Sequence, residues 1–145
     1  MSVTMSVGER EAFLADLHVG VVSVSQERRG PLAVPVWYAY APGGVVSVIT
    51  GASSRKAQLI AAAGRFSLCA QSEAAPYKYV RVEGPVTATE APVAADEARD
   101  VAHRYLGQEF GDLYLAATAE SAAGNCVIRM TPESWLTADF AKEYS

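Results

Sequence analysis

Tyr79-Val80-Arg81-Val82-Glu83-Gly84-Pro85-Val86-Thr87-Ala88-Thr89 decides the fold class. Val80, Val82, Val86 and Ala88 fall on one side of a period of two, and Tyr79, Arg81, Glu83, Thr87 and Thr89 on the other. Such alternation is the signature of a half-buried strand, because successive side chains of extended chain point to opposite faces. Gly84-Pro85 inside it predicts a bulge or a sheet edge. Immediately upstream, Phe66–Gln71 reads as another strand, preceded by a short helix over Arg55–Ala63 that Gly64 stops. Further back, Val34–Tyr40 and Val45–Thr50 form a hairpin punctuated by Pro42-Gly43-Gly44. Val19–Ser25 is a β-branched strand closed by the turn Glu27-Arg28-Arg29-Gly30-Pro31. Ser6 and Glu9 have capping-box spacing ahead of Phe13, Leu14 and Leu17, which predicts a helix over 7–17 with His18 at its end.

Downstream, two helical segments over 93–106 and 109–120 flank Gly107, and Cys126–Met130 and Ser134–Asp139 close the chain as strands. Six or seven strands joined mainly by short turns, without alternation of strand and helix, predict an antiparallel barrel or sandwich. The flanking helices then plug it. No repeat or linker interrupts the 145 residues, so one domain over 1–145 is expected.

Composition removes many functions. Half the residues are hydrophobic, 19% are charged, and the net charge is −4, which argues against a nucleic-acid partner. No run nears the roughly 20 apolar residues of a membrane span, and no basic region followed by an apolar run opens the chain. A cytoplasmic protein without a membrane partner is the expectation. Cys69 and Cys126 sit in apolar runs without ligand spacing and read as buried thiols. His18 and His103 belong to no cluster of metal-ligating residues, so no metal is expected. No nucleophile elbow, P-loop or dinucleotide fingerprint occurs.

Chemistry concentrates in Val48-Ile49-Thr50-Gly51-Ala52-Ser53-Ser54-Arg55-Lys56-Ala57, where a strand ends and a helix starts. A helix N-terminus carries unpaired N–H groups and about half a positive charge. Small residues let an anion approach that backbone. Arg55 offers a planar fork and Lys56 a mobile point charge, which together make a phosphate site. Two cations in a first turn oppose the helix dipole at a cost of roughly 0.3–1 kcal/mol each, which a bound anion would reverse. The plainer alternative is a Ser-capped helix whose cations face water.

At these residues the chain resembles the split-β-barrel flavin family that includes the pyridoxamine 5′-phosphate oxidases. Thr50, then Ser54-Arg55-Lys56-Ala57, then a helix and Phe66-Ser67-Leu68, is similar to that family's phosphate segment. The hairpin Gly30-Pro31 to Pro35-Val36-Trp37-Tyr38 resembles its strand along the flavin ring, and Tyr79-Val80-Arg81-Val82-Glu83-Gly84 its long strand. The likeness runs in order over about residues 7–90 and more loosely to Trp135-Leu136-Thr137. It implies a six-stranded Greek-key split barrel, a homodimer, and two cofactor sites at the interface. It also implies an oxidoreductase whose FMN or coenzyme F-420 exchanges hydride with a small conjugated organic substrate. A non-catalytic module holding flavin or haem is the alternative.

The cofactor-binding residues implied by the resemblance are Val36, Trp37, Tyr38, Ile49, Thr50, Ser53, Ser54, Arg55, Lys56 and Tyr79. Trp37, Tyr38, Tyr77 and Tyr79 are the aromatics expected to wall a pocket. Family oxidases carry Arg and Lys where this chain has Val34 and Ala39, and they end in an Arg-rich segment where this chain ends Asp139-Phe140-Ala141-Lys142-Glu143-Tyr144-Ser145. The resemblance is therefore to the reductase branch rather than to oxidases of the vitamin.

Overall fold

The computed structural model describes residues 2–145. In chain order its elements are α1 (Val7–Ala15), β1 (Gly20–Val24), β2 (Leu32–Val36), β3 (Ala39–Tyr40), β4 (Val46–Gly51) and α2 (Arg55–Ala63). There follow β5 (Arg65–Gln71), β6 (Lys78–Glu90), α3 (Ala95–Ala117), α4 (Ala119–Ala122), β7 (Asn125–Met130), β8 (Ser134–Asp139) and a closing 3₁₀ turn, Phe140–Tyr144.

Hydrogen-bonded neighbours run β2-β1-β5-β6-β7-β4-β3, with β8 joined to β6 beside that path. Every pairing is antiparallel. The first half of β6 pairs with β5 and β8, and its end, from Val86 to Glu90, pairs with β7. One strand thus serves two sheets that curl around a common core, which is an antiparallel split barrel with flanking helices. The alternation of β6 does what its pattern predicts: Val80 and Val82 are fully buried, while Arg81 and Glu83 meet on the other face at 3.4 Å. Val22, Leu68, Val46, Val48 and Met130 join Val80 and Val82 in the core, each worth roughly 1.5–3 kcal/mol by removal from water.

Three features differ from expectation. There are eight strands rather than the six that the resemblance implies or the seven that the residues pick out, and the eighth arises because the strand expected over 34–40 breaks at Trp37-Tyr38 into β2 and β3. The phenol of Tyr105 reaches in from α3, accepts the Tyr38 N–H at 3.1 Å and has the Tyr38 carbonyl at 3.2 Å. It takes groups that would otherwise join a ladder. Second, the irregularity in β6 falls between Val86 and Ala88, not at Gly84-Pro85. Gly84 instead lets the β7–β8 connection cross, since a Cβ there would stand 1.8 Å from the Thr131 carbonyl oxygen. Third, α1 ends at Ala15 with Asp16 as its cap, so His18 lies in the link to β1, stacked on Phe13 at 4.3 Å.

The capping box of Ser6 and Glu9 is formed, with both reciprocal bonds present. Gly107 divides α3 as its sequence predicts: at φ 81° and ψ 173° it is non-helical, in a region that L side chains avoid. The second arm folds back so closely that Gly111 lies against Ala102 and His103, and His103 Nε2 meets Asp112 Oδ1 at 2.7 Å. Arg129 on β7 anchors the first arm through two 2.8 Å bonds to Glu97, with further bonds to Glu90 and to the Ser47 hydroxyl. Both thiols are free, Cys126 buried and Cys69 partly so. No helix among the described residues is long and apolar enough to cross a membrane.

Candidate cofactor and substrate site

The first turn of α2 follows from its sequence. Ser54 is the N-cap, and its hydroxyl accepts the Ala57 N–H at 3.1 Å. The Gln58 N–H returns to the Ser54 carbonyl, while the Arg55 and Lys56 N–H groups find no acceptor among the described residues. No carboxylate stands in that turn, so the positive end of the helix is uncompensated. Thr50, at the end of β4, is buried with its hydroxyl 3.3 Å from that of Ser54. The exposed Ser53 contributes its carbonyl to the Gln58 side chain.

The two cations differ. Arg55 is exposed and donates to Gln26 Oε1 at 3.1 Å, which steers it along the β1–β2 loop. Lys56 is half-buried, and that burial pushes its pKa down from the usual lysine value. It has no carboxylate within 4.0 Å among the described residues. A desolvated ammonium without a counter-charge is costly to keep and gains most from an anion.

Lys56 opens onto a hollow of about 420 Å³ whose other walls are Val19, Pro35, Val36, Trp37, Ile49 and Tyr114. Trp37, Ile49 and Tyr114 also bound a second, more enclosed hollow of about 310 Å³, floored by Thr50, Gly51 and Asn125 and roofed by α3 and α4. The Trp37 indole lies parallel to the Tyr105 ring at 5.1 Å and against Tyr114 at 5.2 Å. Trp37 is the partition between the two spaces. The Tyr105 hydroxyl secures it, donating to the His18 carbonyl at 2.6 Å beside its bond from Tyr38.

The structure therefore brings Val36, Trp37, Ile49, Thr50, Ser54 and Lys56 together, with Arg55 and Ser53 on the rim. Tyr38 is adjacent only through its backbone. Its ring is fully buried and its hydroxyl donates to the Leu14 carbonyl at 2.6 Å, which anchors α1 to the barrel. Tyr79 stands apart, facing Phe140 across 6.3 Å and paired with Gln71 and Ala138. Tyr77 is exposed in the β5–β6 link. Tyr105, Tyr114 and Asn125 were absent from the expected set. Their signal in the sequence was only a pair of tyrosines either side of Gly107, and nothing local says that the helices fold over β4.

The family model for pyridoxamine 5′-phosphate oxidase matches residues 7–139. The chain belongs to the pyridoxamine 5′-phosphate oxidase family. That match extends the likeness of the phosphate segment and the long strand through β7 and β8. Solved structures agree on the split barrel of the family. The conserved hypothetical protein Rv2991 from Mycobacterium tuberculosis superposes with a TM-score of 0.74 at 19% identity, over 99% of this chain and 91% of that one. An F420 reductase does so with a TM-score of 0.62 at 17% identity, over 87% and 94%. A FAD-binding protein from Mesorhizobium loti gives 0.64 at 17% identity, over 92% and 94%. No curated protein sequence matches the chain.

Proposed function

We propose that this member of the pyridoxamine 5′-phosphate oxidase family is an oxidoreductase that binds FMN or coenzyme F-420 through Lys56, Arg55 and the first turn of α2. The observation that carries the reading is Lys56: a half-buried ammonium without a counter-ion, beside two unpaired helix N–H groups, at the mouth of an aromatic hollow. That donor set suits a phosphate dianion. Val36, Trp37 and Ile49 offer a flat apolar wall to a planar ring system. A flavin or deazaflavin held there supplies hydride chemistry for a small conjugated substrate, and the protein contributes position.

The chain's own residues then have simple tasks. Arg55 and Lys56 grip the tail, and Thr50 and Ser54 line the approach to it. Trp37, braced by Tyr105, sets the plane of the ring. Tyr114 and the second arm of α3 keep water from one side. Tyr79 lies away from these residues within one chain, so its part in the site requires a second copy, in keeping with a homodimer. The reductase and the FAD-binding protein that share the fold fit such a cofactor.

Side-by-side calorimetric titration with FMN and with F-420 is the test. One of them is expected to bind with a Kd below the micromolar range. The double variant Arg55→Ala, Lys56→Ala is expected to weaken that ligand by on the order of 10²–10⁴-fold, from roughly 1.5–3 kcal/mol per charge-assisted contact. Unchanged affinity in the double variant, or no binding of either ligand, would overturn the assignment. Turnover of a conjugated carbonyl compound with reduced ligand separates an enzyme from a binding module.

A further inference from the structure

The two arms of α3 are held to the barrel by different means. On the first arm, Glu97 is fixed by Arg129, Arg104 donates to the Ala15 and Asp16 carbonyls at 3.1 and 2.8 Å, and the Tyr105 hydroxyl meets the backbone of His18 and Tyr38. The second arm, residues 108–117, buries only Gly111 and leaves Phe110 and Leu113 69% and 61% exposed. Asp112 is its only side chain in a hydrogen bond among the described residues, and the partner is His103 of the first arm at 2.7 Å. So short a helix is marginal in isolation, and a segment with so little buried surface opens at low cost. Gly107 supplies the pivot. Its φ of 81° and ψ of 173° turn the arm back on the first, in a region where only glycine rests without strain. What the arm covers is the space around Trp37: Tyr114 stands 5.2 Å from the indole and walls both hollows, and Leu115 closes the enclosed one.

We propose that residues 108–117 are a flap that pivots at Gly107, is latched shut by His103 and Asp112, and gates entry to the aromatic wall at Trp37. For what enters, this rests on the cofactor reading above: FMN or F-420 passes while the arm is swung out and is covered by Tyr114 when the arm returns. The bistable element is the backbone of one residue, since movement of Gly107 out of its present conformation carries Tyr114 and Leu115 away together. The same latch closes the free and the loaded protein, so its contribution cancels in the affinity and appears in the rates of entry and release. Neither latch residue lines the hollow that Lys56 opens onto, which separates gating from grip.

Hydrogen exchange of the full chain, followed by mass spectrometry, tests the flap without any ligand. In the wild type, residues 108–117 are expected to exchange about tenfold faster than residues 95–106. Asp112→Ala, at an exposed position, should speed the second arm about a further fivefold, the measure of one partly solvated hydrogen bond, and leave 95–106 unchanged. Glu109→Ala, on the same arm and in no ion pair among the described residues, should change neither. In stopped-flow binding of FMN or F-420, Asp112→Ala should raise kon and koff together by about fivefold while Kd stays within about twofold. Gly107→Ala, which strains the closed bend, should raise both rates about tenfold or more. Equal exchange of the two arms in the wild type, a matching acceleration of both arms in Asp112→Ala, or binding rates unmoved in both variants overturns the flap. If neither ligand binds, the cofactor reading fails, and the exchange pattern alone upholds or overturns the flap.

Discussion

Replacing Tyr38 by Phe removes one oxygen atom and separates two roles for a tyrosine beside a ligand site. The Tyr38 ring is fully buried and its hydroxyl donates to the Leu14 carbonyl at 2.6 Å. That carbonyl belongs to the last turn of α1 and is left orphaned by the substitution. The bond itself is worth about 0.5–1.5 kcal/mol and an unsatisfied buried carbonyl costs about 1–3, so a loss of about 2 kcal/mol at pH 7 is expected. Burial also pushes the Tyr38 phenol well above its ordinary pKa of 10.0. A raised folded-state value means that the unfolded chain gives up its proton first. Stability from this source is therefore intact below pH 10 and falls as pH climbs above it. By pH 11 an unfolded-state phenol of pKa about 10 is worth about 1.4 kcal/mol to the unfolded chain. Urea unfolding of wild type and Tyr38→Phe at pH 7 and pH 11 should show the gap narrow from about 2 to about 0.6 kcal/mol. FMN or F-420 affinity at pH 7 should not change. A gap as wide at pH 11 as at pH 7, or a lost ligand with unchanged stability, would refute the reasoning.

Gly84→Ala should cost about 3 kcal/mol or more, read as a drop in urea midpoint, because the new methyl meets backbone at 1.8 Å and no side chain can yield. Arg129→Met should lower stability by only about 1–2 kcal/mol, since its pairs are partly solvated, yet speed hydrogen exchange over residues 95–106 by freeing Glu97. Ligand binding should weaken as pH rises toward 10, because burial holds Lys56 below the usual lysine pKa and its charge is lost earlier; Lys56→Gln should remove that dependence in a calorimetric pH series.

Much of the barrel was legible because its strands carry their instructions locally. The alternation in β6, the Ser54 cap and Gly64 stop of α2, and the break at Gly107 are each local patterns, and each is present where the residues place it. What escaped depends on distant chain. Trp37 and Tyr38 have strand propensity, and only a phenol 67 positions away ends the ladder there. Gly84 looks like a bulge residue until the Thr131 carbonyl is seen to cross it. The segment proposed to hold a phosphate is readable in the sequence because cap, cations and helix start lie within a few residues. The enclosed hollow is not, since Asn125 meets Thr50 and Gly51 only through the pairing of β4 with β7, and α3 covers them from a separate segment.

Because β6 is hydrogen-bonded to β5 and β8 along its first half and to β7 at its end, the two sheets share one continuous strand. Peeling either sheet away shortens the template on which the other is assembled. The two halves of the barrel are thereby obliged to melt as a unit, and the amides of Val80 and Val82 should keep their protons until the whole molecule opens.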